Sequence, residues 1–253
     1  ITSHSELAFE LNFLEKLNMR ILIVNPNTTA SMTDKIALAA RQVVAADTEI
    51  VAATSKHGPV SIEGYYDEAL CLPGLLHEIR SAKDFDAVAI ACFDDTGLDA
   101  ARCLTDRPVI GIGEAGYKTA AMLSNRFSVI TTLPRSVPAL EHNIERYGLE
   151  RQCARVRACD VPVLALESEA EPALAKIKTE IERAIEQDQA EAIVLGCAGM
   201  TDLAHDLSVT YEMPVLDGVV CAVAMCESMA RLGLRTSRRG GYAPPPAEKL
   251  TLP

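Results

Sequence analysis

Two cysteines occupy the same kind of position in this chain of 253 residues. Cys92 follows the apolar run 87–91, and Cys197 follows the apolar run 192–195. A short polar loop comes after each of them, and then a helical pattern begins. Ligands bind outside the carboxyl ends of the strands in parallel sheets, so each thiol is predicted to face a crevice. The helix N-terminus behind each thiol is expected to lower its pKa.

Two facing thiols suit proton transfer at a stereocentre. One thiolate removes a proton from one face of a carbon, and the opposite thiol donates a proton to the other face. Double ionisation is disfavoured between like charges, so the resting pair is one thiolate and one thiol. Backbone N–H groups of the loops after the cysteines can stabilise the carbanion. A lone cysteine is more often a packing residue, and it is the repeated position that favours catalysis here.

The two halves of the chain resemble each other over three segments. The matching segments recur after 105 or 106 residues (197 − 92 and 126 − 20), a period far longer than that of solenoid repeats. Such spacing indicates a duplicated lobe. The pairs are 20–25 with 126–131, 86–92 with 191–197, and 108–111 with 214–217.

Strand and helix patterns alternate along the whole chain, which predicts parallel sheets with crossover helices. We expect an α/β fold with two similar Rossmann-like lobes, related by a pseudo-twofold axis, and an active site in the cleft between them. The predicted strands are 20–24, 49–54, 87–91, 109–112, 127–132, 156–161, 192–195 and 215–216. The predicted division is an N-terminal extension 1–18 before Met19, lobe 1 over 19–113 and 214–234, lobe 2 over 114–213, and a mobile or loosely docked C-terminal tail 235–253.

Polar loops end the first strand of each half, at 25–29 and 131–136, and can line the same crevice. The alternative is that they only form strand-to-helix turns and caps. The residues predicted to contact a substrate are Asn25, Phe93, Asp94, Thr96, Gly97, Thr131, Thr132, Ala198 and Gly199. Glu114, Tyr65 and Tyr66 lie in segments that could reach the crevice or face solvent.

Two other features of the sequence suggest alternative functions. The glycines of 111–116 match the outline of a dinucleotide fingerprint, but the next strand ends in Thr where an acidic residue would hold a ribose. A tight strand-to-helix turn before a helix at 116–123 is the preferred interpretation. A cysteine hydrolase using His57 or His142 as its base has no support in spacing and leaves the second cysteine unexplained.

Composition restricts the partners that can be expected. The formal net charge is −11 and aromatic residues make up 4%, which argues against nucleic-acid and membrane-surface binding. Eight cysteines without a secretion signal indicate free thiols in a reducing cytoplasm. No Cys-x-x-Cys or zinc spacing occurs, so no metal site is expected.

Four segments resemble the aspartate/glutamate/hydantoin racemase superfamily over about 19–234. They are Ile-Val-Asn-Pro-Asn-Thr-Thr ending at Thr29, Ala-Cys-Phe-Asp-Asp-Thr-Gly ending at Gly97, Val-Ile-Thr-Thr-Leu-Pro-Arg-Ser ending at Ser136, and Leu-Gly-Cys-Ala-Gly-Met ending at Met200. The resemblance implies two α/β lobes, no cofactor, and a homo-oligomeric enzyme. It also implies that Cys92 and Cys197 are the acid–base pair.

The residues after the cysteines separate the branches of this superfamily. Amino-acid racemases usually have Asn-Thr and Thr-His there, whereas this chain has Phe93-Asp94 and Ala198-Gly199. A partly apolar pocket with backbone donors suits a neutral ring, and the related arylmalonate decarboxylases keep only one cysteine. The prediction is therefore cofactor-independent racemisation of 5-substituted hydantoins. Allantoin racemisation is the nearest alternative, and a non-catalytic two-lobed binding protein is the alternative of another class. The native 5-substituent, the preferred enantiomer and the subunit count stay open.

Overall fold

The computed structural model describes residues 18–246, and eight strands within this range form two parallel four-stranded sheets. The first sheet has the order β2-β1-β3-β4 and the second has the order β6-β5-β7-β8. The strands are β1 (Met19–Asn25), β2 (Thr48–Thr54), β3 (Ala87–Ile90), β4 (Val109–Gly111), β5 (Phe127–Thr131), β6 (Cys153–Ala158), β7 (Ala192–Leu195) and β8 (Val215–Asp217).

Helices connect successive strands throughout the described range, as parallel pairing within each sheet requires. They are α1 (Ala30–Arg41), α2 (Tyr65–Ser81), α3 (Leu98–Leu104), α4 (Ile112–Leu123), α5 (Val137–Arg146), α6 (Ala165–Ser168), α7 (Ala170–Asp188), α8 (Ala204–Tyr211) and α9 (Gly218–Arg231). No helix of residues 18–246 is long and apolar enough to span a bilayer.

The predicted α/β fold with two similar lobes is confirmed, because both sheets have the same strand order. The strand predicted at 156–161 is wrong in its bounds. β6 begins at Cys153, which pairs with Phe127 of β5. It ends at Ala158, and Asp160 then adopts a positive φ of 54° that is incompatible with an extended strand.

Two helices are exchanged between the lobes. α4 follows β4 of the first sheet but packs on β7 and β8 of the second, and α9 follows β8 but packs on β1, β3 and β4. The prediction that places all of 214–234 in lobe 1 is therefore wrong for β8, which pairs with β7 in the second sheet. Only the helix of that segment crosses to the first sheet.

A shared apolar core fills the junction between the sheets. Phe93 from the loop after β3 packs edge-on against Tyr117 of α4 with 5.2 Å between ring centroids. Tyr117 in turn stacks on Phe127 of β5 at 6.3 Å. All three side chains are buried, so separating the lobes would expose a large aromatic surface to water.

The segment after α9 is docked as far as the structure describes it. The Thr236 amide donates to the Asp106 carbonyl at 2.8 Å. The Arg238 guanidinium donates to the carbonyls of Arg102, Cys103 and Thr105 at 2.9–3.1 Å. The C-terminal tail is thus fixed to the end of α3 over its described part. The remainder of that tail, 247–253, and positions 1–17 of the predicted extension lie outside the described residues.

A buried ion pair links β6 to the end of α7 in the second lobe. Arg157 donates to both carboxylate oxygens of Asp188, with Nε–Oδ2 at 2.6 Å and Nη2–Oδ1 at 2.7 Å. Ser128 of β5 adds a third donor at 3.1 Å. The Arg157 guanidinium lowers the pKa of Asp188 below its ordinary value. The ion pair therefore stabilises the fold at pH values above the pKa that Asp188 has in the unfolded chain. This stabilisation is lost as the pH falls through the lowered pKa of Asp188 in the folded state.

We expect Asp188→Asn to lower the free energy of unfolding by about 2 kcal/mol at pH 7, because the buried Arg157 guanidinium loses two charged hydrogen bonds and keeps the longer ion pair with Glu180 at 3.4 Å. The difference from wild type should begin to narrow below about pH 4, where Asp188 of the unfolded chain takes up a proton, and should narrow until the pH falls below the lowered pKa of the native carboxylate. Urea unfolding at several pH values measures this. Glu186→Gln on the exposed face of α7 is the control. A difference in the free energy of unfolding that stays constant down to pH 2 would contradict the proposed dependence on ionisation of Asp188.

Candidate active site

Both sheets present their carboxyl ends to one cleft. Cys92 follows β3 and Cys197 follows β7, so each lobe contributes one thiol from the same position in its sheet. The cleft contains about 410 Å³ of empty space, part of it open to solvent. Its lining consists of Asn27, Met32, Ile62, Ala91, Cys92, Phe93, Asp94, Thr131, Thr132, Ser136, Val163, Gly196, Cys197 and Ala198.

Cys92 is 8% exposed, and its Sγ lies 3.5 Å from the Thr96 hydroxyl. Burial raises the pKa of this thiol well above its ordinary value, and the negative charge of Asp94 adds to the increase. The Thr96 hydroxyl and the Asp94 backbone amide oppose the increase only in part. Cys92 is therefore a neutral thiol in the ligand-free protein at neutral pH, the state in which it can donate a proton.

Cys197 has a different set of neighbours. The Gly199 amide donates to its Sγ at 3.4 Å. Burial raises the pKa of Cys197 to about 12, and the charge of an ionised Asp94 acts in the same direction, while the Gly199 amide and, more weakly, the positive charge of Lys35 act in the opposite direction. Lys35 lies close because its ammonium donates to the Gly199 carbonyl at 2.7 Å. Of the two thiols, Cys197 has the surroundings better suited to a thiolate.

The expectation that helix N-termini lower the thiol pKa values is wrong. α3 begins only at Leu98, six positions after Cys92, and the influence of a helix dipole is confined to its first turn. Cys197 does cap a short 3₁₀ turn, Ala198–Met200, but the Gly199 amide of that turn lowers its pKa by less than burial raises it. Loss of hydration in the buried cleft dominates instead.

Several residues predicted to bind substrate lie behind the lining. The buried Asn25 amide donates to Asn27 Oδ1 at 2.9 Å and to the Thr33 hydroxyl at 3.0 Å, so it shapes the loop that presents Asn27. Thr96 contacts the Cys92 sulfur rather than the cleft. Gly97, with a φ of 73°, forms the turn before α3. Gly199 acts through its backbone on Cys197.

The sequence interpretation missed some of the lining. Asn27 and Ser136 belong to the two loops predicted to line the crevice but were not singled out. Ile62 and Val163 follow β2 and β6, which are the second strands of the two lobes. Extending the duplication to these strands would have pointed to both residues. Met32, near the start of α1, carried no signal beyond a helical apolar pattern.

The segment between β2 and α2 connects the lobes beside the cleft. Glu63 accepts a hydrogen bond from the Val163 amide at 2.8 Å and pairs with Arg135. The Tyr65 hydroxyl lies 3.1 Å from Nδ1 of His142, which places both side chains outside the lining. Tyr66 is 77% exposed. None of these contacts brings a histidine base to Cys92 or Cys197, so the hydrolase alternative gains no support.

The glycines of 111–116 serve packing at the start of α4. This helix begins at Ile112 rather than Gly116, so the predicted turn is wrong in position. The Asp95 carboxylate accepts from the amides of Gly113 at 3.0 Å and Glu114 at 2.6 Å. It therefore occupies the helix N-terminus where a dinucleotide phosphate would bind. Glu114 points away and forms ion pairs with Arg102 and Lys118, both at 2.5 Å.

No group of three or more potential metal ligands occurs among residues 18–246. The two lobes with a thiol at the end of the third strand of each sheet define an enzyme of the racemase class. The Asp/Glu/Hydantoin racemase family model matches residues 21–226, and the chain belongs to this family.

Relatives and solved structures agree with that assignment. The chain is 50% identical to a hydantoin racemase of Rhizobium meliloti, over 90% of this chain and 95% of the relative. It is 44% identical to a hydantoin racemase of Pseudomonas sp. (strain NS671), over 90% and 92% of the two chains. It is also similar to the structure of an allantoin racemase from Klebsiella pneumoniae, with a TM-score of 0.88, 45% identity, and coverage of 90% of this chain and 94% of that one.

We expect Gly113→Ala to destabilise the fold by about 2 kcal/mol, because overpacking a buried contact forces the backbone to move. A Cβ there would collide with the Phe93 carbonyl and approach Asp95 Oδ2 to 2.8 Å. The same shift displaces the loop next to Cys92, so kcat should fall as well. Thermal unfolding and rate measurements test both effects. A Cβ added at Gly241 would have no neighbour within 4 Å, so Gly241→Ala should change neither the thermal stability nor kcat.

Proposed function

We propose that this enzyme racemises 5-substituted hydantoins with Cys92 and Cys197 as its two acid–base groups and without a cofactor. The observation that carries the proposal is that the two thiols line one cleft from different lobes. Removal of the C5 proton leaves an enolate because C5 is adjacent to a ring carbonyl. Protonation of that enolate from the opposite face gives the other enantiomer.

The surroundings of the two sulfurs assign them different resting states. Each sulfur has an amide donor two positions later, and Cys197 has in addition the nearby Lys35, so Cys197 is the thiolate when substrate is bound. Cys92 is the buried thiol without that cation beside it, and it keeps its proton. In one direction Cys197 removes the C5 proton and Cys92 donates its own. The roles are exchanged in the reverse direction, and the thiol–thiolate pair carries a single negative charge throughout.

The charge of the cleft favours a neutral substrate. Among the described residues, its lining includes no Lys or Arg, and it does include Asp94. An α-carboxylate bound there would be desolvated without a cationic partner, which is strongly unfavourable. A hydantoin ring is uncharged, and its carbonyl and N–H groups can be satisfied by hydroxyl, amide and backbone groups of the lining.

Racemisation of allantoin is the second candidate function. The similarity to the allantoin racemase structure favours it. The polar side chains Asn27, Thr131, Thr132 and Ser136 in the lining could bind a ureido substituent.

We further propose that the protein is cytoplasmic, which is in keeping with its eight unpaired thiols, and that it is a homo-oligomer. Gel filtration with light scattering and cell fractionation measure these two properties.

We expect the ratio of kcat/KM for allantoin and for isopropylhydantoin to identify the native 5-substituent. Binding of a ureido group by buried polar side chains should discriminate against the apolar substituent by about 100-fold or more, because those groups would be left unpaired. Polarimetry with both substrates measures the ratio. A preference for the apolar compound would assign the enzyme to alkyl or aryl hydantoins instead.

We expect Cys92→Ser and Cys197→Ser each to reduce racemisation by about 1,000-fold, since each removes one of two proton-transfer groups. The remaining thiol can still exchange the C5 proton from its own face. The two variants should therefore incorporate deuterium from D2O into opposite enantiomers without inverting them. Proton NMR and optical rotation, followed together on each pure enantiomer, measure this.

Cys103→Ser is the matched control, because that thiol donates to the Gly241 carbonyl and does not belong to the lining of the cleft. It should behave like wild type. Full racemisation in either cleft variant would refute the two-thiol mechanism. Binding without C5 exchange in the wild-type protein would instead identify a non-catalytic binding protein.

A further inference from the structure

Within residues 18–246, Asp94 is the one acidic side chain in the lining of the cleft. Its carboxyl group lies near the reacting thiols, since an ionised Asp94 would raise the pKa of both Cys92 and Cys197. The backbone at this position is fixed from the second lobe, where the Asn143 amide donates to the Asp94 carbonyl at 2.7 Å. The second lobe therefore helps to position the loop that carries Asp94.

Glu68, in the first turn of α2, meets the Asp94 carboxyl. Its Oε1 is buried and has no N–H or O–H donor among the described residues. The two carboxyl groups are close enough for a hydrogen bond between them once one of them carries a proton. Burial, followed by their mutual repulsion in the case of Asp94, raises the pKa of both groups.

We propose that Asp94 and Glu68 share one proton, and that Asp94 presents it to the cleft as a neutral acid that hydrogen-bonds a ring carbonyl oxygen of the substrate. This inference rests on the proposed function. Glu68 is then a positioning residue, which orients Asp94 and keeps it protonated. Asp94 touches the substrate and is a further catalytic residue.

The proton of Asp94 is not transferred in this scheme. The C5 proton moves to the thiolate, and its electron pair is delocalised onto the carbonyl oxygen. That oxygen becomes a stronger acceptor as the charge develops, so the Asp94 hydrogen bond is strongest in the transition state. When Cys92 protonates C5, the electron pair returns to carbon and the hydrogen bond weakens again.

The groups that face this pair are all acids. They are Asp67 beside Glu68, Asp95 beside Asp94, Cys71 on α2, Tyr117 on α4, and the two cleft thiols. Raising the pH can only add negative charge to such a cluster. The second proton of the carboxyl pair is therefore lost at a higher pH than it would be from an isolated acid. Racemisation should fall at alkaline pH as that proton is lost.

Glu68→Gln separates the shared proton from simple packing. The Gln amide donates to Asp94 and removes one negative charge, so Asp94 ionises more readily. We expect the alkaline limb of the kcat profile to move to lower pH by about one unit or more. The rate should drop about tenfold at pH 8 and recover at pH 6, with KM little changed. Glu78→Gln on the same helix should leave the profile as in wild type.

Asp94 variants test the donor itself. Asp94→Asn keeps a neutral N–H donor, and it should retain activity within about tenfold and lack the carboxyl-dependent limb. Asp94→Ala should lose about 100-fold. Infrared difference spectra between wild type and Asp94→Asn should show the C=O stretch of a protonated carboxylic acid at pH 8. This last measurement remains decisive if Glu68→Gln does not fold.

The outcomes separate this inference from the proposed function. Absence of C5 exchange in the wild-type enzyme would refute the proposed function itself. Normal exchange in wild type, combined with an unshifted pH profile in Glu68→Gln, would overturn the shared proton. Full activity in Asp94→Ala, or the absence of a protonated carboxylic acid in the infrared spectrum, would overturn the proposed role of Asp94 as a neutral hydrogen-bond donor.

Discussion

The exchange of α4 and α9 between the lobes is the constraint on which the rest of the structure depends. Each helix follows a strand of one sheet and packs on the strands of the other, and the two helices pack on each other. The Phe93, Tyr117 and Phe127 rings fill the same junction. Because neither lobe can bury its helix alone, the two sheets are held with their carboxyl ends toward one cleft. Two thiols that are far apart in sequence therefore line it together.

Burial follows from that arrangement and determines the chemistry of the thiols. A cleft enclosed by two sheets and lined by few charges removes water from both sulfurs, and this raises both pKa values. Neutral thiols are effective proton donors, and a thiolate formed in such surroundings is poorly hydrated and strongly basic. The acidity of a carbon beside a carbonyl is low, so a strong base and a matched acid suit its deprotonation better than a stabilised thiolate would.

The duplication made much of the fold readable from the sequence. The repeat offset predicted two lobes and placed Cys92 and Cys197 at equivalent strand ends, because strand and turn patterns are local. It could not predict the exchanged helices, which depend on tertiary packing, nor the effect of burial on the thiol pKa values. Asn25 and Asn27 sit two positions apart in one turn, and only the folded loop shows which of them reaches the cleft. Glu68 belongs to a helix with no matching motif in the second half, so comparison of the two halves could not predict its proximity to Asp94.

The two halves keep the same geometry but have diverged in charge around it. Asp94 follows the first cysteine at a distance of two residues, and Gly199 occupies the matching position after the second. Lys35 acts on Cys197, whereas the side-chain charges that act most strongly on Cys92 are the acids Asp94 and Cys71. Enantiomers have equal free energies, so this asymmetry cannot favour one product at equilibrium. It can only determine which sulfur holds the proton between turnovers and how tightly each enantiomer binds. The duplicated fold thus supplies two opposed faces, and the charges that distinguish them set the protonation state from which the reaction starts.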